Sequence, residues 1–247
     1  MGSGSPKRIS NLLDRVRRVY CKEEVGDLFE KMSAPKAVMT VAFINAHSVN
    51  MCWKCEHVTA DFNDADILLR DGKGVELLCK SIGKEPGLNL NGTDLIPKFL
   101  NYTKGRRISV YGTSEPWLVR ACRKLSLEGH NIVSQMDGFK NEDDYLSDAI
   151  KSEPQIILLA MGMPKQEKVA RFLRQHLTDC NVTIICGGAI VDFLAGRFPR
   201  APEWMRKRGL EWLFRFLQEP RRLCQRYAVG NILFLFRIGK VKRALNL

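Results

Sequence analysis

Residues 155–167 read QIILLAMGMPKQE. Seven mostly apolar residues stop at Gly162, and Pro164 opens a stretch with helical spacing that runs to Thr178. A run this short, bounded by glycine and proline, fits a buried strand better than a helix, and proline suits the first turn of the helix behind it. The same grammar repeats on either side. Val38–Ile44, Asp66–Leu69, Arg107–Tyr111, Ile132–Gln135 and Val182–Cys186 read as further buried strands, with Glu115–Gly129 and Glu142–Ser152 as further helices. Strands alternating with helices build a mostly parallel sheet covered on both faces, so the fold class expected is α/β.

Ligands of open parallel sheets bind outside the carboxyl ends of the strands. The residues just after the six strands are therefore the candidate site. They are Asn45, then Asp71 within Asp71-Gly72-Lys73-Gly74, Gly112-Thr113, Asp137-Gly138, Gly162 with Lys165 and Gln166, and Gly187-Gly188 with Asp192. Glycine lets backbone N–H groups approach a ligand, and a helix N-terminus behind it favours an anion such as a diphosphate. Asp71 reads either as a helix cap or as a general base, and Asp192 carries the same two readings. Lys165 and Gln166 read either as contacts to a nucleotide and its phosphates or as ordinary first-turn solvation.

Composition narrows the classes. The chain has 247 residues, 45% hydrophobic and 27% charged, ordinary for a globular protein and too polar for an integral membrane bundle. Thirty-nine Lys and Arg against 27 Asp and Glu give a net charge of +12, which calls for an anionic partner: nucleic acid, a membrane surface or a phosphorylated substrate. No Gly-x-Gly-x-x-Gly follows a strand, and neither a phosphate-binding Gly-x-x-x-x-Gly-Lys-Ser/Thr loop nor a Gly-x-Ser-x-Gly elbow occurs, so dinucleotide dehydrogenases, P-loop NTPases and serine hydrolases fit poorly. Eight scattered cysteines suggest reduced thiols in a cytosolic protein. Met1 to Ser5 read as a tag remnant, and no signal peptide is visible. Cys52-Trp53-Lys54-Cys55, flanked by His47 and His57, is half a zinc site at most. Asp64-Ala65-Asp66 matches the short Asp-x-Asp pattern of metal-dependent sugar-nucleotide enzymes but precedes its strand, at the wrong edge of the sheet. No metal and no cofactor are expected.

The last fifth of the chain holds two-thirds of the excess charge: from Ala201 onward, 11 basic residues face three acidic ones. Leu210, Leu213, Phe214 and Leu217 recur at helical spacing, and a second apolar run includes Ile232 to Phe236. The longest uncharged stretch here, 10 residues, is about half of the ~20 needed to span a bilayer. Basic residues beside such apolar stripes describe a segment lying in a membrane interface. Packing of the stripes on the core is the plainer alternative. A nucleic-acid-binding protein would use the arginines too, but gives no reason for the run Ile232–Phe236.

Gly162 to Glu167, then Gly187 to Gly196, Arg200-Ala201-Pro202, Gly209 to Leu213 and Glu219 to Arg222 resemble the WecG/TagA/CpsF glycosyltransferases, with Asn45-Ala46, Asp71 to Gly74 and Gly92-Thr93-Asp94 in the same order. The resemblance covers roughly Val38 to Tyr227. It implies a Rossmann-like core with a C-terminal helical appendage that meets the membrane. The division expected is residues 1–36 as a lead-in, 37–200 as the catalytic core and 201–247 as the appendage. The implied activity is transfer of a sugar, with inversion and without a metal, from a UDP-sugar to a polyprenyl-diphosphate-linked saccharide, by a peripheral enzyme on the cytoplasmic membrane face. Asp71 matches the family's base, and Asn45, Gln166 and Asp192 match pocket residues. Arg215, Arg222 and Arg226 match appendage arginines that hold diphosphate. Phe43 stands where many relatives have Thr, and Asn89 where they often have Arg. The expected partners are thus the UDP-sugar, the lipid-linked acceptor and an anionic membrane surface, not nucleic acid; a homo-oligomer is left open.

Overall fold

The computed structural model describes residues 4–178 and 180–245. Six strands form one sheet: Met39–Ile44 (β1), Ile67–Arg70 (β2), Arg107–Gly112 (β3), Asn131–Met136 (β4), Ile156–Ala160 (β5) and Thr183–Cys186 (β6). Their order is β2-β1-β6-β5-β3-β4, and every pairing is parallel. All six fall within a residue or two of the runs read from the sequence. Fully covered parallel strands are continuous apolar runs, which is why five of them stand out. β4, read from the sequence as buried, is instead an edge strand whose residues are half-buried or exposed, because no strand covers its outer side.

Alternate residues of each strand enter two cores. Ala42, Ile44, Leu68, Tyr111, Ile157, Leu159, Ile184 and Cys186 face one layer of helices, which includes Ala46–Lys54, Lys73–Ser81 and Lys165–His176. Val41, Phe43, Ile67, Leu69, Ile108, Val110, Leu158 and Ile185 face the other, which includes Gly92–Tyr102, Trp117–Leu127 and Ile190–Leu194. The N-terminal lead-in belongs to the body. Ile9, Leu12 and Leu13 of the helix Gly4–Asp14 are buried in the first core, and the Arg17 N–H donates to the carbonyl of Leu68 at 2.8 Å, covering the open edge of β2.

From Pro202 the chain runs through the short helices Glu203–Lys207, Glu211–Gln218 and Pro220–Cys224, a π-turn at Gln225–Val229, and the 15-residue helix Gly230–Ala244. This stretch is not uniform. Glu211–Gln218 buries none of its residues, whereas Gly230–Ala244 buries Phe234, Arg237 and Val241 against the first core. Among the described residues no helix is long and apolar enough to cross a membrane.

Candidate active site

Asn45 and Asp71 are neighbours because Ile44 and Arg70, which precede them, are paired in the β1–β2 register. The Asp71 N–H donates to the Ile44 carbonyl at 2.8 Å, continuing the ladder one step past the strands. Asn45 is the N-cap of the helix Ala46–Lys54. Its Oδ1 accepts from the N–H groups of His47 and Ser48, at 3.0 and 3.1 Å, and Ser48 Oγ accepts in return from Asn45 N. That reciprocal cap aims the remaining amide nitrogen at Asp71 Oδ2, 3.4 Å away. Removal from water pushes the Asp71 carboxyl above its ordinary range; Asn45 and the charges of Arg226 and Arg215 oppose the shift, and Glu211 adds to it.

The two glycines behind Asp71 have separate tasks. Gly72 sits at φ +87°, a left-handed turn that a side chain would strain, and its N–H donates to Asn89 Oδ1 at 2.7 Å. Gly74 is needed for packing: a Cβ there would lie 2.9 Å from Ala46 Cβ and 3.3 Å from the ring of Phe234. Buried Arg70 ties the following loop down by donating to the carbonyls of Gly72, Pro86 and Gly87.

The ends of β3 and β6 meet through Thr113 and Asp192. Thr113 Oγ1 donates to Asp192 Oδ1 at 2.6 Å, and Arg197 pairs with the same oxygen at 3.2 Å. Thr113 holds φ at +48°, unusual for a β-branched residue and a mark of a constrained site. Gly112 before it cannot be anything larger, since a Cβ would stand 2.3 Å from the backbone of Ala160. The loop after β5 is engaged internally. Gly162 turns at φ +79°. Lys165 Nζ donates to the carbonyls of Gly138 and Lys140, at 2.9 and 2.8 Å. Gln166 is wholly buried: its Oε1 accepts from Gly188 N at 2.9 Å, and its Nε2 donates to Glu167 Oε1 at 2.8 Å. Lys165 and Gln166 thus brace the neighbouring loops.

The arginines come from the C-terminal segment. Arg226 lies in the π-turn, within charge range of Asp71, His47, Arg215 and Arg222. Its Nε is buried, with no hydrogen-bond partner among the described residues. Desolvation and the Arg226 charge lower the His47 pKa to about 4, so this imidazole is neutral above that. Arg215 lies over the ring of Phe193 at 5.2 Å, and Arg222, paired with Glu219, over that of Phe198 at 5.7 Å. Arg200 joins segment to core by pairing with Asp94 at 2.9 Å and Glu211 at 3.0 Å.

Of the residues singled out from the sequence, the fold groups Asn45, Asp71 and Arg226 at the β1–β2 end, and Gly112, Thr113 and Asp192 at the β3–β6 end. Arg215 lies within charge range of Asp71 while stacking on Phe193, and Arg222 stacks on Phe198, both rings in the segment after β6. The sequence marks His47 only in the loop after the first strand and as a flank of the Cys52–Cys55 pair, and does not single out the stacking rings of Phe193 and Phe198. Asp64 and Asp66 lie at the opposite edge, paired with Arg174. Burial pushes the Cys52 thiol up to about 12. Among the described residues, no three of His, Cys, Asp and Glu gather as a metal-binding group.

The model of the glycosyl transferase WecG/TagA/CpsF family matches residues 11–246. The chain belongs to this family. Among curated relatives, an N-acetylglucosaminyldiphosphoundecaprenol N-acetyl-beta-D-mannosaminyltransferase of Bacillus spizizenii is 30% identical over 168 residues, 66% of this chain and 65% of the relative. That alignment spans just under two-thirds of the relative's length. The Bacillus subtilis protein of the same name is 29% identical over 87% of this chain and 80% of its own. The Staphylococcus aureus protein is 24% identical over 94% and 91%.

Proposed function

We propose that this glycosyltransferase family member moves a sugar, with inversion, from a UDP-sugar to a polyprenyl-diphosphate-linked saccharide at the cytoplasmic membrane face. The relatives' names supply the first pair to try: an N-acetylmannosaminyl donor and N-acetylglucosaminyl-diphospho-undecaprenol as acceptor. The reading is carried by one observation. A partly desolvated carboxyl, Asp71, lies near a set of guanidinium groups, of which Arg226 has a buried N–H unpaired among the described residues.

Attack by an acceptor hydroxyl on the anomeric carbon forms one C–O bond while the bond to the UDP oxygen breaks, and the electron pair leaves with UDP. Asp71 takes the hydroxyl proton. Its raised pKa makes it a stronger base than an exposed aspartate, and such assistance supports roughly 10²–10⁴-fold in rate. Charge gathering on the departing diphosphate meets Arg215, Arg222 and Arg226, whose planar forks bind phosphate oxygens bidentately. The Thr113–Asp192 pair lines the donor side.

Peripheral attachment is supported by where the apolar surface lies. Half of the exposed large apolar side chains among the described residues fall within the stretch from Trp204 to Phe236, beside its basic residues. Nucleic acid would leave that surface uncovered. The test is UDP release by the full chain on vesicles holding the lipid-linked acceptor, with the anomeric configuration of the product read by NMR. Acceptor-dependent release and an inverted product, unchanged by EDTA, are expected. Retention of configuration, or no release across a panel of UDP-sugars, overturns the reading.

A further inference from the structure

Away from the reacting groups, one buried polar contact joins the C-terminal helix to the body of the protein. Asn50, on the helix that Asn45 caps, and Arg237, on Gly230–Ala244, are 8% and 9% exposed. Arg237 Nη1 donates both to Asn50 Oδ1 and to the Asn50 carbonyl, the latter at 3.2 Å, and its guanidinium lies 5.5 Å over the Trp53 ring. Among the described residues no carboxylate pairs with it, and burial alone lowers its pKa. Asn50 Nδ2 donates in turn to the carbonyl of Gly230 at 2.7 Å. One asparagine therefore grips the last helix at two points seven residues apart, on one face and about two turns from each other. The upper point follows the π-turn that carries Arg226.

A buried guanidinium without a counter-ion is poor value for stability, because apolar residues of similar volume commonly serve as well or better. What directional hydrogen bonds add is register. A slide or rotation of this helix would carry Arg226 away from Asp71, since only three residues separate Arg226 from Gly230. We propose that Asn50 and Arg237 form a register lock, a pair of positioning residues that hold Arg226 against the Asn45–Asp71 pair. The proposal rests on the reading of Asp71 as the base.

The consequence is a displaced pH profile. Asn45, Arg226, Arg215 and Glu211 face Asp71, and His47, Tyr227, Arg215 and Arg222 face Arg226. The positive charge of Arg226 favours the ionised carboxylate, so withdrawing it raises the Asp71 pKa and moves the acid limb of kcat/KM to higher pH. The experiment compares Arg237→Met, the double variant Asn50→Leu with Arg237→Met, and Arg237→Lys with the wild type on the lipid-linked acceptor. The double variant restores apolar packing and is expected to melt at or above the wild-type temperature. It should nevertheless lose on the order of tenfold in kcat/KM, as misplaced catalytic groups do, with the acid limb moved up by about half a pH unit or more. Arg237→Lys, which keeps one donor for Asn50 Oδ1, should recover part of both. The same limb shift in a His47→Gln background assigns it to Asp71. An acid limb at the wild-type pH in the folded double variant overturns the lock and leaves Asn50 and Arg237 as packing residues. Asp71→Asn in the same assay separates the two claims: if it keeps wild-type turnover, the base reading itself falls, and the lock with it.

Discussion

Asp66 and Asp71 stand at the two ends of β2, on opposite edges of one sheet and separated only by the strand. Asp66 is fully engaged. Its Oδ2 accepts from Thr40 N and Thr40 Oγ1, at 2.8 and 3.1 Å, and its Oδ1 from Arg174 Nη2 at 2.8 Å. Asp71 has one long bond from Asn45 and a set of nearby arginine charges. The first carboxylate staples β1 to β2 at the amino edge, where parallel strands offer nothing to a ligand. The second is half-buried, partly withdrawn from water without gaining equivalent partners, which leaves it capacity for a proton. Residue type and spacing do not separate these aspartates; the edge of the sheet does.

The largest effect expected from breaking this contrast is at Asp71. Asp71→Asn keeps the size of the side chain and its contact with Asn45 but removes the proton acceptor. Turnover should fall on the order of 10²-fold or more, with UDP affinity and melting temperature little changed. Steady-state turnover with calorimetric titration of UDP checks both halves. Turnover within a few-fold of wild type would return Asp71 to the role of its counterpart across the sheet.

How much of this could be seen in advance follows from which residues face the interior on every side. Five of the strands were legible because they are continuous buried apolar runs; the edge strand β4, half-buried or exposed throughout, was marked only by its short β-rich run. The carboxyl edge was legible too, once the strands were placed, and with it Asn45, Asp71, Thr113 and Asp192. The details that depend on a neighbour far along the chain were not. Gly74 looks like half of a phosphate-binding turn, yet it makes room for Phe234 and Ala46. Gln166 looks like a pocket residue, yet it is buried with both ends of its amide used. The run Ile232–Phe236 invited a choice between membrane and core. An unbroken apolar run circles its helix, so Phe234 enters the core while Ile232, Leu235 and Phe236 stay exposed. The lock at Arg237 was invisible for the same reason: its partner is 187 residues away.

Glu167 sharpens the contrast, because it shows that a raised pKa alone does not make a base. It is 2% exposed, its Oε2 lacks a partner among the described residues, and burial pushes its pKa from 4.5 to about 7. It faces a small cavity beside Asp61 and Asp64, among the side chains of the amino edge. In the folded protein it stays protonated up to about pH 7, whereas the unfolded chain ionises near 4.5. Its contribution to stability is therefore fully present below about pH 4.5 and is lost as pH rises to about 7. By that linkage the loss is on the order of 3 kcal/mol. Glu167→Gln should remove the slope and leave the acid limb of turnover where it was. Urea midpoints of both proteins between pH 5 and 8 measure it, and parallel curves would show that Glu167 ionises alike in both states.

The smallest effect is reserved for Asp66. Asp66→Asn keeps an oxygen for the N–H and hydroxyl of Thr40 but turns the acceptor that faces Arg174 into an NH2 donor, so the charge and that one hydrogen bond are lost together. Both side chains of that pair remain about a third exposed, so solvent screens much of their attraction. The expected cost is about 1 kcal/mol, a fall of roughly 2–4 °C in Tm for a chain of this length. No change in kcat/KM or in its pH profile should accompany it, since the residue lies a full strand away from the reacting groups. A truncating Asp66→Ala variant strands the Thr40 N–H as well and should cost about 1–3 kcal/mol more, again without touching the chemistry. A loss of activity in Asp66→Asn larger than its melting shift explains would mean that β2 transmits strain from its amino end to Asp71. The two edges would then no longer be independent, and the division of labour between these aspartates would have to be redrawn around the strand that joins them.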